Sequence, residues 1–173
     1  MGPYLLNEIK AWMEKKDREI MVGDELLLLS ILSMDIEEAY SKAKLGRSLA
    51  STRAKRSSFN LVLGIIMLQA EKLDEAGFFL IDALSCDSII FENFRKEVLY
   101  WLAYEKTKKS LFCEAKDLCN DGIEEDVNDP RFYSLRATAH FYLEEYDLAD
   151  QDLIRASILK KRASIPSEVK TAT

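Results

Sequence analysis

From Leu63 to Leu84 an apolar run meets a short charged break and then a second apolar run. In the first, Leu61, Leu63, Ile65, Ile66 and Leu68 leave hardly any polar side, which predicts a helix buried nearly all round. In the second, Ala76, Phe79, Leu80, Ala83 and Leu84 fall three and four apart, the spacing of one helical face. This two-run pattern recurs. Leu63-Gly64 is followed twelve residues on by Ala76, then Leu80 and Ala83. Leu102-Ala103 leads in the same way to Ala115, Cys119 and Gly122, and Ala137 to Ala149, Leu153 and Ala156. Leu73, Phe112 and Tyr146 each stand three residues before the alanine, and successive units are 39 and 34 residues apart.

Turn chemistry agrees with paired helices. Asp74, Ser110 and Asp147 stand where the second helices would begin and are expected to cap them. Asp129-Pro130 predicts an N-cap followed by proline in the first turn. Upstream, Leu5, Leu6, Ile9, Trp12 and Met13 form one stripe of an amphipathic helix. Asp24–Leu32 and Asp35–Ala50 follow as further helices, the latter opened by a capping box of Asp35 and Glu38. Gly46–Ser58 reads as a hinge, a loop or a frayed helix end, and strand-like alternation is absent.

The repeated columns resemble the tetratricopeptide repeat (TPR), a 34-residue antiparallel helix pair. Leu63-Gly64, Ala76, Leu80 and Ala83 match its pattern in one unit; Leu102-Ala103, Phe112 and Ala115 match in the next. Ala137, Tyr146, Ala149, Leu153 and Ala156 match in the third. The departures are a missing leading Trp, Gly122 for alanine, Arg136 for leucine, and five extra residues within Ser85–Phe94. The resemblance implies an all-α fold, a right-handed superhelix of antiparallel helix pairs (a TPR-like α-solenoid) with extra N-terminal helices. It divides the chain into N-terminal helices over 1–56, a degenerate repeat or cap, then three repeats over 57–163 (about 57–90, 96–129 and 130–163) and a flexible tail over 164–173.

Charge narrows the function. A net charge of −6 disfavours nucleic acid, because phosphate contacts need a basic surface. The charge is uneven, however. No acid occurs from Ala39 to Ala70, where Lys42, Lys44, Arg47, Arg53, Lys55 and Arg56 lie, while acids gather in Asp121–Pro130 and Leu143–Asp152. The basic Lys42–Arg56 segment lacks interleaved aromatics for base stacking, so a solvated linker or a contact for an acidic partner is the better reading than RNA or anionic lipid. The longest uncharged run, between Arg56 and Glu71, is too short to span a bilayer, and no signal peptide is legible; membrane insertion is not expected, and a cytoplasmic location is.

Catalytic chemistry is sparse. No phosphate-binding glycine loop or nucleophile elbow occurs, and His140 is the lone histidine, better read as a packing or hydrogen-bonding residue than as a base. Cys86, Cys113 and Cys119 hold no C-x-x-C pair, and a zinc site would need all three to converge with His140. No catalytic residue, metal or cofactor is assigned. Ser57 and Ser164 follow basic residues in the manner of basophilic kinase sites.

The resemblance further implies that the first helix of each unit lines a concave groove. Its positions map to Leu61, Ile65 and Leu68, then Tyr100, Tyr104 and Lys108, then Arg131, Thr138, Phe141 and Tyr142. An aliphatic and aromatic lining suits a peptide or helix of another protein with apolar anchors. The expected function is therefore a non-enzymatic adaptor or chaperone, with a homodimer through the N-terminal helices as a further partner. In size and plan the chain is similar to the type III secretion chaperones that hold translocators. The alternatives from other classes are a helical enzyme using His140 and a nucleic-acid binder using the basic segment. A covering role for the N-terminal helices, with some groove residues packed beneath them, is the competing account of the apolar lining.

Overall fold

The computed structural model describes residues 35–85 and 94–163, and all the regular structure among them is helical. The helices are α1 (Ile36–Leu49), α2 (Arg53–Gln69), α3 (Leu73–Leu84), α4 (Phe94–Lys108), α5 (Phe112–Glu125), α6 (Pro130–Tyr142) and α7 (Tyr146–Ala163). The helices expected before Asp35, Cys86 and the tail beyond Ala163 lie outside the described residues. The chain forms two compact units, one ending at Trp101 and the other starting at Leu102.

In the first unit α2 packs against both α1 and α3. That explains why a helix with almost no polar face is stable: every residue from Ser57 to Leu68 is buried. Gly64 lets α3 approach α2 closely, since a Cβ there would stand 2.6 Å from Cγ of Leu80 on α3. Asp35 caps α1 as expected, accepting from the backbone N–H groups of Glu37 (2.7 Å) and Glu38 (3.2 Å). The stretch Gly46–Ser58 is not a loop or a frayed end. Only residues 50–52 separate α1 from α2, because the Thr52 hydroxyl accepts from the Lys55 N–H and starts the new helix at once.

The helix-pair turns share one geometry. Glu71, Ser110 and Glu144 have φ of 58°, 59° and 63°, left-handed values. In each turn the next N–H reaches back five residues, Lys72 to Met67, Leu111 to Lys106 and Glu145 to His140, all at 2.9 Å. This is a Schellman ending, which satisfies the last carbonyls of the first helix. The three left-handed residues carry the sequence spacing of 39 and then 34. The geometry also corrects the capping assignments. Ser110 is the left-handed residue itself, and α3 and α5 begin after Lys72 and Leu111, which provide no side-chain cap. Asp74 and Asp147 instead lie within first turns, where an acid favours the positive end of the helix dipole.

In the second unit α6 packs against both α5 and α7. Asp129 caps α6 by accepting from the Arg131 N–H at 3.0 Å, with Pro130 in the first turn as expected. Ala115, Cys119 and Gly122 of α5, Ala137 of α6, and Ala149 and Ala156 of α7 are the buried small-residue seam. These are the repeat columns read from the sequence.

Candidate functional site

The expected groove residues fall in both units. In the first, Leu61, Ile65 and Leu68 are buried core, so the aliphatic end of the expected groove is not open surface. They belong to a stretch of α2 that is buried without a break from Ser57 to Leu68. Tyr100 is half-buried and meets Trp101 edge-on, with ring centroids 5.1 Å apart. In the second unit Tyr104 is half-buried, with Nζ of Lys108 5.5 Å from its ring centre. Arg131 is turned back onto the α6 cap, its guanidinium bonded to the Asp129 carboxylate at 2.7 and 3.0 Å. Thr138 donates to the Ser134 carbonyl and borders a cleft together with Phe141.

Phe141 and Tyr142 belong to an aromatic cluster at the end of α6. Phe112 of α5 stacks on Tyr142 with centroids 4.5 Å apart and planes 6° from parallel. Phe141 stands edge-on to Tyr142 and to Tyr146, at 5.7 Å from each. Despite these contacts Phe141, Tyr142 and Tyr146 remain 57, 60 and 55% exposed. Beside them lies a cavity of about 400 Å³ between α6 and α7. Ala137 and Ala149 form its floor, Phe141, Tyr146 and Leu153 its apolar walls, and Thr138 and Asp150 its polar edge. The sequence pointed to Thr138, Phe141 and Tyr142. Phe112, Tyr146 and Leu153, which join them in the cluster and the cleft, read in the repeat pattern as packing columns.

The lone histidine sits in a polar network instead. Nδ1 of His140 is 2.5 Å from Oε2 of Glu145, and Lys116 of α5 bonds both Glu145 oxygens at 3.0 Å. These two partners, His140 first, hold the Glu145 carboxyl below the usual carboxylate range. Nε2 of His140 lies 3.7 Å from Asp152, a buried carboxylate gripped by Arg136 through two bonds of 2.7 Å. The network joins α5, α6 and α7, which is what a structural histidine does.

Cys119 lies beside this network and is fully buried. Burial pushes its thiol up to about 12, Arg136 opposing and Asp152 adding to the shift. A thiol so raised is not a nucleophile at neutral pH. Because the folded form keeps the proton that the unfolded chain releases near pH 9, Cys119 favours folding below that pH and loses its contribution as pH rises towards 12. Mass mapping at pH 8 should find exposed Cys113 alkylated while Cys119 reacts only in denaturant. In melts from pH 9 to 11, Cys119→Ala should lose stability less steeply than the wild type. Equal slopes would place the thiol in a more polar setting.

Among the described residues no cluster of three or more His, Cys, Asp or Glu side chains is placed to hold a metal, and no helix is long and apolar enough to cross a membrane. Ser57 is 2% exposed within α2, so the kinase-like pattern around it is not presented by the folded protein. Ser164 lies outside the described residues.

No family model and no curated protein matches the chain. Solved structures do. MamA MSR-1 superposes with a TM-score of 0.67 at 15% identity, over 92% of this chain and 94% of that one. A crystal structure of MamA gives 0.70 at 16%, over 90 and 88%, and MamA AMB-1 gives 0.65 at 16%, over 97 and 93%. At these identities the likeness is one of fold: the chain shares the all-helical, TPR-like fold of the MamA structures.

Proposed function

We propose that the chain is a non-enzymatic protein–protein interaction module, and that the α6–α7 cleft and its aromatic rim hold apolar side chains of a peptide or helix from another protein. One observation carries this reading: an apolar cavity of about 400 Å³ bordered by the exposed rings of Phe141 and Tyr146. Exposed apolar surface of this kind marks an interaction site more often than it marks idle surface. Aromatic rings supply contact area at low entropic cost, and Thr138 and Asp150 offer polar groups to fix a register. Of the expected groove, Tyr104, Lys108, Thr138, Phe141 and Tyr142 keep a place in this reading, as accessible residues of the second unit. An adaptor or chaperone role, including one like that of the secretion chaperones, is its natural extension. The enzyme alternative has less support, since His140 is buried against Glu145 and the neighbouring Cys119 thiol stays protonated.

Affinity capture on the immobilised protein, followed by mass spectrometry, tests the proposal. Phe141→Ala with Leu153→Arg should weaken retention of the captured partner by more than about 2 kcal/mol. Both side chains are more than half exposed, so the melting temperature should stay near that of the wild type. A folded double variant that retains its partner would move the site elsewhere. Recovery of a bound small metabolite and no protein would favour the enzyme.

A further inference from the structure

The first unit holds a second cleft, of about 480 Å³ and opposite character. Arg47 from the last turn of α1, Arg53, Arg56 and Asn60 from the first two turns of α2, and Phe78 and Asp82 from one face of α3 line it. From its lining we infer that the cleft binds an acidic peptide segment of a partner protein, a glutamate or aspartate carboxylate entering the cleft while a neighbouring apolar side chain rests on Phe78.

The charges in the cleft do not balance. Asp82 is the one carboxylate among three guanidiniums, and it is shared: it accepts from the Asn60 amide at 2.6 Å and from Nη2 of Arg47 at 3.4 Å. Arg53 donates to the Ser85 carbonyl at 2.8 Å, covering the end of α3. Arg56 is exposed and has no ion-pair partner among the described residues. The opening turn of α2 contains no acid, although a helix N-terminus favours negative charge, and it carries Arg53 and Arg56 instead. Fixed positive charge, a positive helix end and a spare guanidinium fork meet in one cavity. A carboxylate satisfies all three, and it matches the fork in geometry.

The amount of charge selects the class of ligand. Nucleic-acid affinity rests on about six to ten phosphate contacts and on stacked bases. Among the described residues one guanidinium is free, two are part-engaged and Phe78 is the single aromatic in the lining, and the whole chain carries −6. One or two carboxylates fit that supply; a polyanion does not. Phe78 is 64% exposed at the rim, an apolar surface that a free phosphate could not use. The cleft is separate from the first-helix groove positions and from the α6–α7 cavity, so it stands or falls independently of the function proposed above.

Fluorescence anisotropy with the whole chain and a short labelled peptide of two glutamates beside a leucine tests this directly. Binding should weaken as salt is raised. Arg56→Glu should weaken it by at least about tenfold, as expected for a charged hydrogen-bonding partner reversed, and Arg56→Lys by less. Phe78→Ala should weaken it a few-fold. Because Arg56 and Phe78 are exposed, circular dichroism melts should coincide with those of the wild type, which separates lost binding from lost folding. The proposal is overturned if Arg56→Glu leaves affinity unchanged or if a glutamine version of the peptide binds equally well. It is equally overturned if inorganic phosphate or a short single-stranded RNA displaces the peptide at concentrations below the peptide's own.

Discussion

Asp152→Ala is expected to destabilise the second unit by about 3 kcal/mol, read from the midpoint of chemical denaturation at neutral pH. Asp152 is 5% exposed on α7 and receives both Nε and Nη2 of Arg136 at 2.7 Å, a fork matched to a carboxylate. A third guanidinium bond, from Nη1 to Asn120 on α5, ties the same arginine to the neighbouring helix. Removing the carboxylate leaves Arg136, 22% exposed at its side chain, charged and with two donors unmade. Breaking one side of a buried pair costs far more than the pair contributes net, because the survivor keeps its desolvation penalty. The same logic predicts a rescue. Arg136→Leu restores the residue that the repeat pattern places there, and combined with Asp152→Leu it should recover most of the loss. A single Asp152→Ala variant as stable as the wild type would mean that water already screens the pair.

The helix pairs were legible because their signal is redundant: small residues recur at fixed offsets, and at Gly64 the cause is the close approach of Leu80. The turns were only half legible. A left-handed residue is normally glycine, and here it is Glu71, Ser110 and Glu144, chosen by the backbone bonding of the turn against side-chain preference. The groove was misjudged at one end for a simpler reason. An apolar run does not tell a covered helix from an exposed apolar lining, so Leu61 and Ile65, both buried in α2, read the same as an open groove. At the aromatic end Phe141 and Tyr142 stood out in the sequence, while their ring neighbour Phe112 and the cleft wall Leu153 read only as repeat columns. In the basic segment, Arg47 meets Asp82 thirty-five residues away, a pairing that no local pattern announces.

Gly122→Val should destabilise the second unit by about 2–3 kcal/mol, and the cause is a single ring. Gly122 sits in the last turn of α5 where the repeat pattern has alanine, and glycine there costs up to about 1 kcal/mol of helix propensity. That cost is tolerated because a Cβ on Gly122 would overlap the ring edge of Phe132, the fully buried side chain in the first turn of α6. Two effects therefore oppose each other in Gly122→Ala: a gain of up to about 1 kcal/mol in propensity and an overpacking cost of about 1–3 kcal/mol. The clash should win, narrowly for alanine and decisively for valine, whose branched Cβ has no rotamer that avoids the ring. Shortening the ring tests the assignment. In a double-mutant cycle Gly122→Ala with Phe132→Leu should show favourable coupling of at least about 1 kcal/mol, since each change makes room for the other. If Gly122→Ala alone raised stability by its full propensity gain, Phe132 would be free to move aside, and the glycine at this column would have no packing origin.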